Sequence, residues 1–416
     1  MKKYVFFTGT VSRMGGGQMY TCNKQKFVAD LGYTPYVFQI KSGEMYISGF
    51  DMDKVFKHEC IWINPYLYSK KRIDKILSKM LEHIDYREDD EIIIESHSPQ
   101  VALWGELLAE KCKAKHFTFI IAENCPVELN YIGFLNFKLQ RGELAGNSDT
   151  TVARAFEGYQ EIEDSAKYRL SPLCNNVVED VTNPLIDSID DNVLTIASIG
   201  RLDKSYCSSL LQEFLKFAKE HENTKIQFVF VGGAPKKSTV KRFSDAFKNQ
   251  TNVKCLVTGF IYPIPRAVFD KVDVFVSAAG SANVSWKHDV PTISLDVSDS
   301  LPIGVLGYTT TKTLYRNIEA EHSVSELLHK IVFENYLDDM PYQTYYSVRT
   351  EQNYFQKHME FIEKSTEQKE YYPVAAITPN KKEKILKVLL GVLHTKLFLI
   401  VREMIGKFIV KMKKCR

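Results

Sequence analysis

The chain has 416 residues, more than one hydrophobic core usually supports, so two domains of ordinary size are expected. Its 44% hydrophobic and 25% charged content is that of a globular protein. The formal net charge of +3 conceals a division: from Asn380 onward eleven Lys and Arg stand against Glu383 and Glu403, a net +9 that leaves −6 on residues 1–379 and argues against a nucleic-acid binder.

Met1-Lys2-Lys3 is followed by an apolar run that stops at Thr8, too short for a signal peptide. Residues 3–9 read as a strand, 11–17 as a loop with Gly15, Gly16 and Gly17, 18–31 as a helix and 36–40 as a second strand. Residues 91–96 read as a buried strand, 101–111 as a helix and 117–122 as a strand again. This alternation is that of a parallel sheet with helices on both faces. Strand ends then fall at Gly9, Ser96 and Ala122, where ligands gather in such sheets. A stretch rich in Asp and Asn, 175–192, marks a linker.

Beyond it the alternation restarts, with strands at 193–200, 226–233, 253–258, 273–277 and 291–296 and helices at 208–220, 239–249 and 267–271. Residues 342–372, crowded with tyrosine and charge, are expected to form helices that cross back over the first domain. The expected divisions are 1–180, 181–340, a return segment 341–380 and a tail 381–416, with a cleft between the two sheets as ligand site. Eight cysteines without a C-x-x-C pair argue against a zinc site and a disulfide framework, and point to a reducing cytosol. Asp51-Met52-Asp53 follows no suitable strand and reads as a solvated turn. The histidines show no metal-ligand spacing, and no G-x-S-x-G elbow is present.

Four segments of the second half occur in order: Ile199-Gly200-Arg201-Leu202, Phe230-Val231-Gly232-Gly233, Val257-Thr258-Gly259-Phe260, and Asp273 to Ser277 leading to Val290-Pro291-Thr292-Ile293. The ordered set resembles the retaining glycosyltransferases of the family 4 group, over roughly residues 1 to 315. The resemblance implies an α/β protein of GT-B fold, two Rossmann-like domains facing across a cleft, here with a C-terminal amphipathic helix. It implies transfer of a sugar, with retention, from a nucleotide diphosphate donor expected to be UDP-linked, with no cofactor and no metal.

A departing diphosphate gathers negative charge, which cations and backbone N–H groups must hold. Arg201 suits that clamp because its planar fork matches phosphate, and Lys204 is a second cation, although the family places its lysine further along, where this chain has Tyr206. Gly15, Gly16 and Gly17 let the backbone approach phosphate or sugar at a helix start, and Gly259, Phe260, Gly280, Ser281, Ala282 and Asn283 complete the donor side. His97 lies just beyond a strand where family members carry a histidine close to the donor sugar. Glu123 and Asn124 stand where another histidine is common and can orient an acceptor hydroxyl. These three are the catalytic candidates. The family's two glutamates eight residues apart are missing from residues 277–289. Their absence keeps open a non-catalytic subunit of a glycan-assembly complex; a nucleotide-sugar epimerase on the same plan is the other alternative.

From Lys381 to Arg416 a broad apolar helical face accompanies a narrower polar stripe through Lys384, Lys387, Gly391, His394, Arg402, Gly406 and Lys411. Lys396 and Arg402 interrupt the apolar run short of the ~18 to 20 residues a span needs, so an interfacial helix is expected. The expected partners are a nucleotide sugar, a lipid-linked glycan acceptor and an anionic membrane surface, and the expected location is cytoplasmic, peripheral on the inner face of the cell membrane.

Overall fold

Tyr4 and Phe6 alternate with Val5 and Phe7 along β1 (Lys2–Thr8), and all four are fully buried. Successive strand residues point to opposite faces, so both faces of this strand are covered. Val5 and Phe7 join the core beneath α2 (Lys70–His83) and α3 (Pro99–Cys112). Tyr4 and Phe6 join the one beneath α1 (Gly16–Asp30). The computed structural model describes residues 1–12, 14–40, 43–58, 61, 63–121, 129–349, 354–365 and 370–392. Parallel to β1 lie β2 (Thr34–Gln39), β3 (Val55–Lys57), β4 (Glu91–Ser96), β5 (Lys115–Ile120) and β6 (Leu144–Gly146), in the order β3-β2-β1-β4-β5-β6. Helices α4 (Leu129–Gln140) and α5 (Thr151–Ala155) flank β6.

The second sheet repeats this order. Strands β8 (Leu194–Ile199), β9 (Ile226–Val231), β10 (Val253–Val257), β12 (Val274–Ala278), β13 (Thr292–Leu295) and β14 (Pro302–Val305) run β10-β9-β8-β12-β13-β14. Only β14 runs antiparallel to its neighbour. The sequence expected neither β14 nor the first-domain α2, α4 and β6. The two-residue strand β7 (Val178–Glu179), inside the expected linker, pairs with β11 (Ile264–Pro265). Helices α6 (Pro184–Asp187), α7 (Ser205–Glu220), α8 (Lys237–Asp245), α9 (Ala267–Asp270), α10 (Ala279–Trp286) and α11 (Val324–Phe333) complete the domain. In both sheets the strand order reverses beside the first strand, which opens a crevice at the carboxyl ends of β1 and β4, and of β8 and β12.

The chain then returns. Tyr345 of α12 (Tyr345–Val348) packs edge-on against Trp286 of the second domain, whereas Phe355, Met359 and Ile362 of α13 (Tyr354–Lys364) enter the first-domain core. Leu390 of α14 (Lys381–Val392) also enters the first domain, and the Glu383 carboxylate accepts from Tyr66 and Asn130. Residues 393–416, most of the expected tail helix, lie outside the described residues. Among the described residues no helix is long and apolar enough to cross a membrane.

Candidate functional site

Between the domains lies a cavity of about 420 Å³, floored by the second-domain crevice and roofed by the start of α1. Arg201 and Lys204 line it, and among the described residues no carboxylate does. Ile199, Val231, Ile261, Ile264, Val284 and Phe260 give it an apolar wall. Gly232 is needed where the ends of β8 and β9 converge, because a Cβ there would stand 1.8 Å from the Gly200 carbonyl oxygen. A hollow of equal volume on the outer flank of the second domain includes Arg316, but that guanidinium is already paired with Asp299.

Three helices begin at the cavity. Their first-turn N–H groups lack intrahelical acceptors, and the aligned peptide dipoles make each start partially positive. The N-cap residues are Gly15 for α1, Lys204 for α7 and Ala278 for α10; all three line the cavity, and none caps its helix with a side chain. Away from the cavity α11 closes its start with a Ser323–Glu326 capping box, while α2, α3 and α8 also lack a side-chain cap, so it is the meeting of three starts at one cavity that marks the site. Ala279 takes φ +54°, a left-handed conformation uncommon outside glycine, and donates its N–H to Thr313 O at 2.7 Å. Strain and open helix starts therefore meet at one place, a site with positive potential and apolar walls.

Arg201 lies just beyond β8, where Leu202 N–H donates to Gly233 O at 2.9 Å and pins the loop. Lys204 opens α7, which begins three residues earlier than the sequence suggested, and Tyr206, largely buried, also lines the cavity. Gly15 and Gly16 line the cavity, while Gly17 faces Ile121. Phe260, Gly280 and Ser281 also line it. Gly259, Ala282 and Asn283 do not, and Ala282 is fully buried behind. Glu123 and Asn124 lie outside the described residues. Asp51 caps the short helical turn Met52–Lys54 by accepting from Asp53 N–H, and both carboxylates are exposed.

His97 lies edge-on to Tyr20 of α1, 6% exposed and not in the cavity lining. Its Nε2–H donates to Glu95 Oε1 at 2.9 Å, and its buried Nδ1 has no partner among the described residues. Glu95 is fully enclosed and also accepts from Tyr4 at 2.5 Å, Tyr20 at 2.7 Å and Lys24. Burial alone would raise its carboxyl, but Lys24 and the His97 hydrogen bond hold it well below the usual range. His358 of α13 completes the cluster: its Nδ1 accepts from Lys24 at 3.2 Å and its Nε2–H donates to Ser171 O at 3.1 Å. Burial, reinforced by Lys24, pushes it down to about 3.

A second buried cluster has the form of a nucleophile relay. Ser96 Oγ donates to His116 Nε2 at 2.9 Å, and His116 Nδ1–H donates to Glu106 Oε2 at 2.5 Å. All three are at most 1% exposed, so no substrate reaches them. Burial and the neighbouring Lys138 push His116 down to about 4. Glu106 stays at about 2 against its own burial because Lys138 and His116 stabilise the carboxylate.

Sequence reasoning missed Cys174, Asn175 and Asn176, which line the cavity from the linker. Asn23 of α1 donates to the carbonyls of Leu173 and Asn175 at 3.1 and 3.0 Å, drawing the linker into the cleft. The stretch rich in Asp and Asn is the available signal, and by composition alone it marks only a linker. Burial pushes the Cys174 thiol up to about 12, so it carries no thiolate at neutral pH.

Two doubly wound domains facing across a cleft define the GT-B architecture. Among solved structures the chain is similar to a glycosyltransferase from Rickettsia africae ESF-5, at 13% identity and TM-score 0.56, over 87% of this chain and 98% of that one. It is also similar to Anabaena Alr3699/HepE in complex with UDP, at 12% identity and TM-score 0.51, over 94% and 100% of the respective chains. The same Anabaena protein in complex with UDP and glucose gives 12% and 0.50 over the same shares. No family model matches the chain, and no curated protein matches it in sequence. At these identities the likeness establishes the fold.

Proposed function

We propose that the chain is a glycosyltransferase that moves a sugar from a nucleotide diphosphate donor, UDP-linked, to a lipid-linked or surface polysaccharide precursor. The observation that carries this reading is the convergence of three uncapped helix starts with Arg201 and Lys204 on a cavity that no described carboxylate lines. Such a site holds a diphosphate and stabilises the charge it gathers as the glycosidic bond breaks. The apolar wall offers the base a dry surface, and the UDP bound by the Anabaena neighbour is of this chemistry.

In this mechanism the second domain supplies positioning and charge, and no side chain forms a covalent intermediate. Cys174, as a neutral thiol, is no nucleophile. The acceptor hydroxyl enters from the first domain, and the sequence resemblance assigns its orientation to His97, Glu123 and Asn124. Retention, with front-face attack assisted by the departing phosphate, rests on the sequence resemblance. The basic tail keeps the enzyme on the cytoplasmic face of an anionic membrane, near a lipid-linked acceptor.

Calorimetry with UDP, and transfer of radiolabelled sugar to a membrane fraction, test the reading. Arg201→Ala is expected to weaken UDP binding by roughly 1.5 to 3 kcal/mol, the scale of a hydrogen bond to a charged group, with the fold intact. His97→Ala should lower transfer. Unchanged affinity in Arg201→Ala would displace the donor site. A wild type that neither binds nor transfers would favour a non-catalytic subunit, to which the missing glutamate pair also points. Interconversion of donor sugars without an acceptor would favour an epimerase.

A further inference from the structure

Among the described residues the Arg201 guanidinium is held by one partner. Its Nε–H donates to Asp203 Oδ1 at 2.9 Å and its Nη2–H to Asp203 Oδ2 at 2.6 Å, a two-pronged pairing that fixes the plane and direction of the guanidinium. The side chains are 34% and 30% exposed. At that exposure an ion pair adds little to stability, so its effect lies in geometry. Arg201 lines the cavity and Asp203 does not, so the carboxylate holds the guanidinium from behind. A guanidinium has five N–H groups. Asp203 takes two, leaving both on Nη1 and one on Nη2. Nη1 reaches across the cleft, since a Cβ built on Gly15 would lie 3.6 Å from it.

We propose that Asp203 is a positioning residue for anion capture: it braces Arg201 so that the free edge of the guanidinium faces the starts of α1 and α10, where the donor diphosphate sits. This rests on the donor site proposed above and deepens it. The brace has an unusual consequence. Asp203 is negatively charged and stands near the place of a dianionic ligand, so on charge alone its removal would strengthen binding. As a brace, its removal frees a long side chain that must be ordered again on binding, and affinity falls. The two accounts predict opposite signs.

The experiment is calorimetry of the full chain with UDP and with uridine, for wild type, Asp203→Ala and Asp203→Asn. Asp203→Ala is expected to bind UDP about tenfold more weakly. Asp203→Asn keeps one oxygen to accept from Arg201 without the charge, and is expected to fall between the two. Uridine, which has no phosphate, should bind all three alike. Asp203→Ala binding UDP as tightly as wild type or more tightly would overturn the brace while leaving the donor site standing. Equal weakening for UDP and uridine would also overturn it, because the role would then be structural. A wild type that binds uridine but gains nothing from the diphosphate would remove the donor reading itself.

Discussion

Gly105 of α3 lies against the buried Ser96–His116–Glu106 line: a Cβ there would stand 2.5 Å from Ser96 Oγ and 2.7 Å from His116 Nε2. Both atoms are locked in hydrogen bonds, so neither can give way without leaving a buried polar group unpaired. Gly105→Ala is therefore expected to destabilise the first domain by roughly 2 kcal/mol or more, read as a lower urea midpoint, despite the helical preference for alanine. An unchanged midpoint would show that the cluster is looser than its distances. Nothing in the sequence announces this constraint. Ser96 ends a strand, Glu106 lies on the next helix and His116 on the next strand, and only the βαβ crossover brings them into line.

At the scale of elements, the strands that were legible are those whose apolar runs are buried on both faces, such as Ile92-Ile93-Ile94 in β4 and Phe228 to Val231 in β9. The elements that escaped carry weaker signals: β6 has three residues, β14 contains proline and glycine, and α2 buries only Ile76, Leu77 and Met80 among seven charged positions. At the candidate site the glycine loop and Arg201 were legible as local motifs, whereas the linker's share of the wall depends on tertiary contacts of α1. Helix α14 shows why its apolar face looked so broad. Leu386, Leu390 and Glu383 turn inward, while Ile385, Val388 and Leu389, at 65%, 69% and 42% exposure, form an outward stripe bordered by Lys382 and Lys384. A helix apolar on two sides has use for two apolar partners, and lysines beside the outer stripe suit anionic headgroups. Replacing Ile385, Val388 and Leu389 together by serine should lower co-sedimentation with anionic vesicles severalfold and leave the unfolding midpoint in place. Undiminished sedimentation would remove α14 from membrane contact.

At the scale of the whole molecule, His116 and His358 tie stability to pH. Both are kept neutral in the fold, at about 4 and about 3, whereas an unfolded histidine titrates near 6.5. The unfolded chain thus binds more protons below about pH 6.5, so stability present at neutral pH is lost as pH falls from there towards 4. Each histidine contributes roughly 1.4 kcal/mol per pH unit in that window. Glu106, held at about 2, adds a loss of its own only below about pH 4.5. The urea midpoint should therefore fall steeply between pH 6.5 and 5, and a flat profile would contradict two buried neutral imidazoles. Return segment and linker together have a mechanical consequence. Among the described residues the chain joins the domains at Leu173 to Val178, and α12 then lies on the second domain and α13 on the first. A second covalent join between two bodies removes swings that a single tether would permit. Tyr46 against Phe260 at 4.7 Å and Cys22 against Tyr262 at 3.2 Å are contacts that any opening of the cleft would have to break.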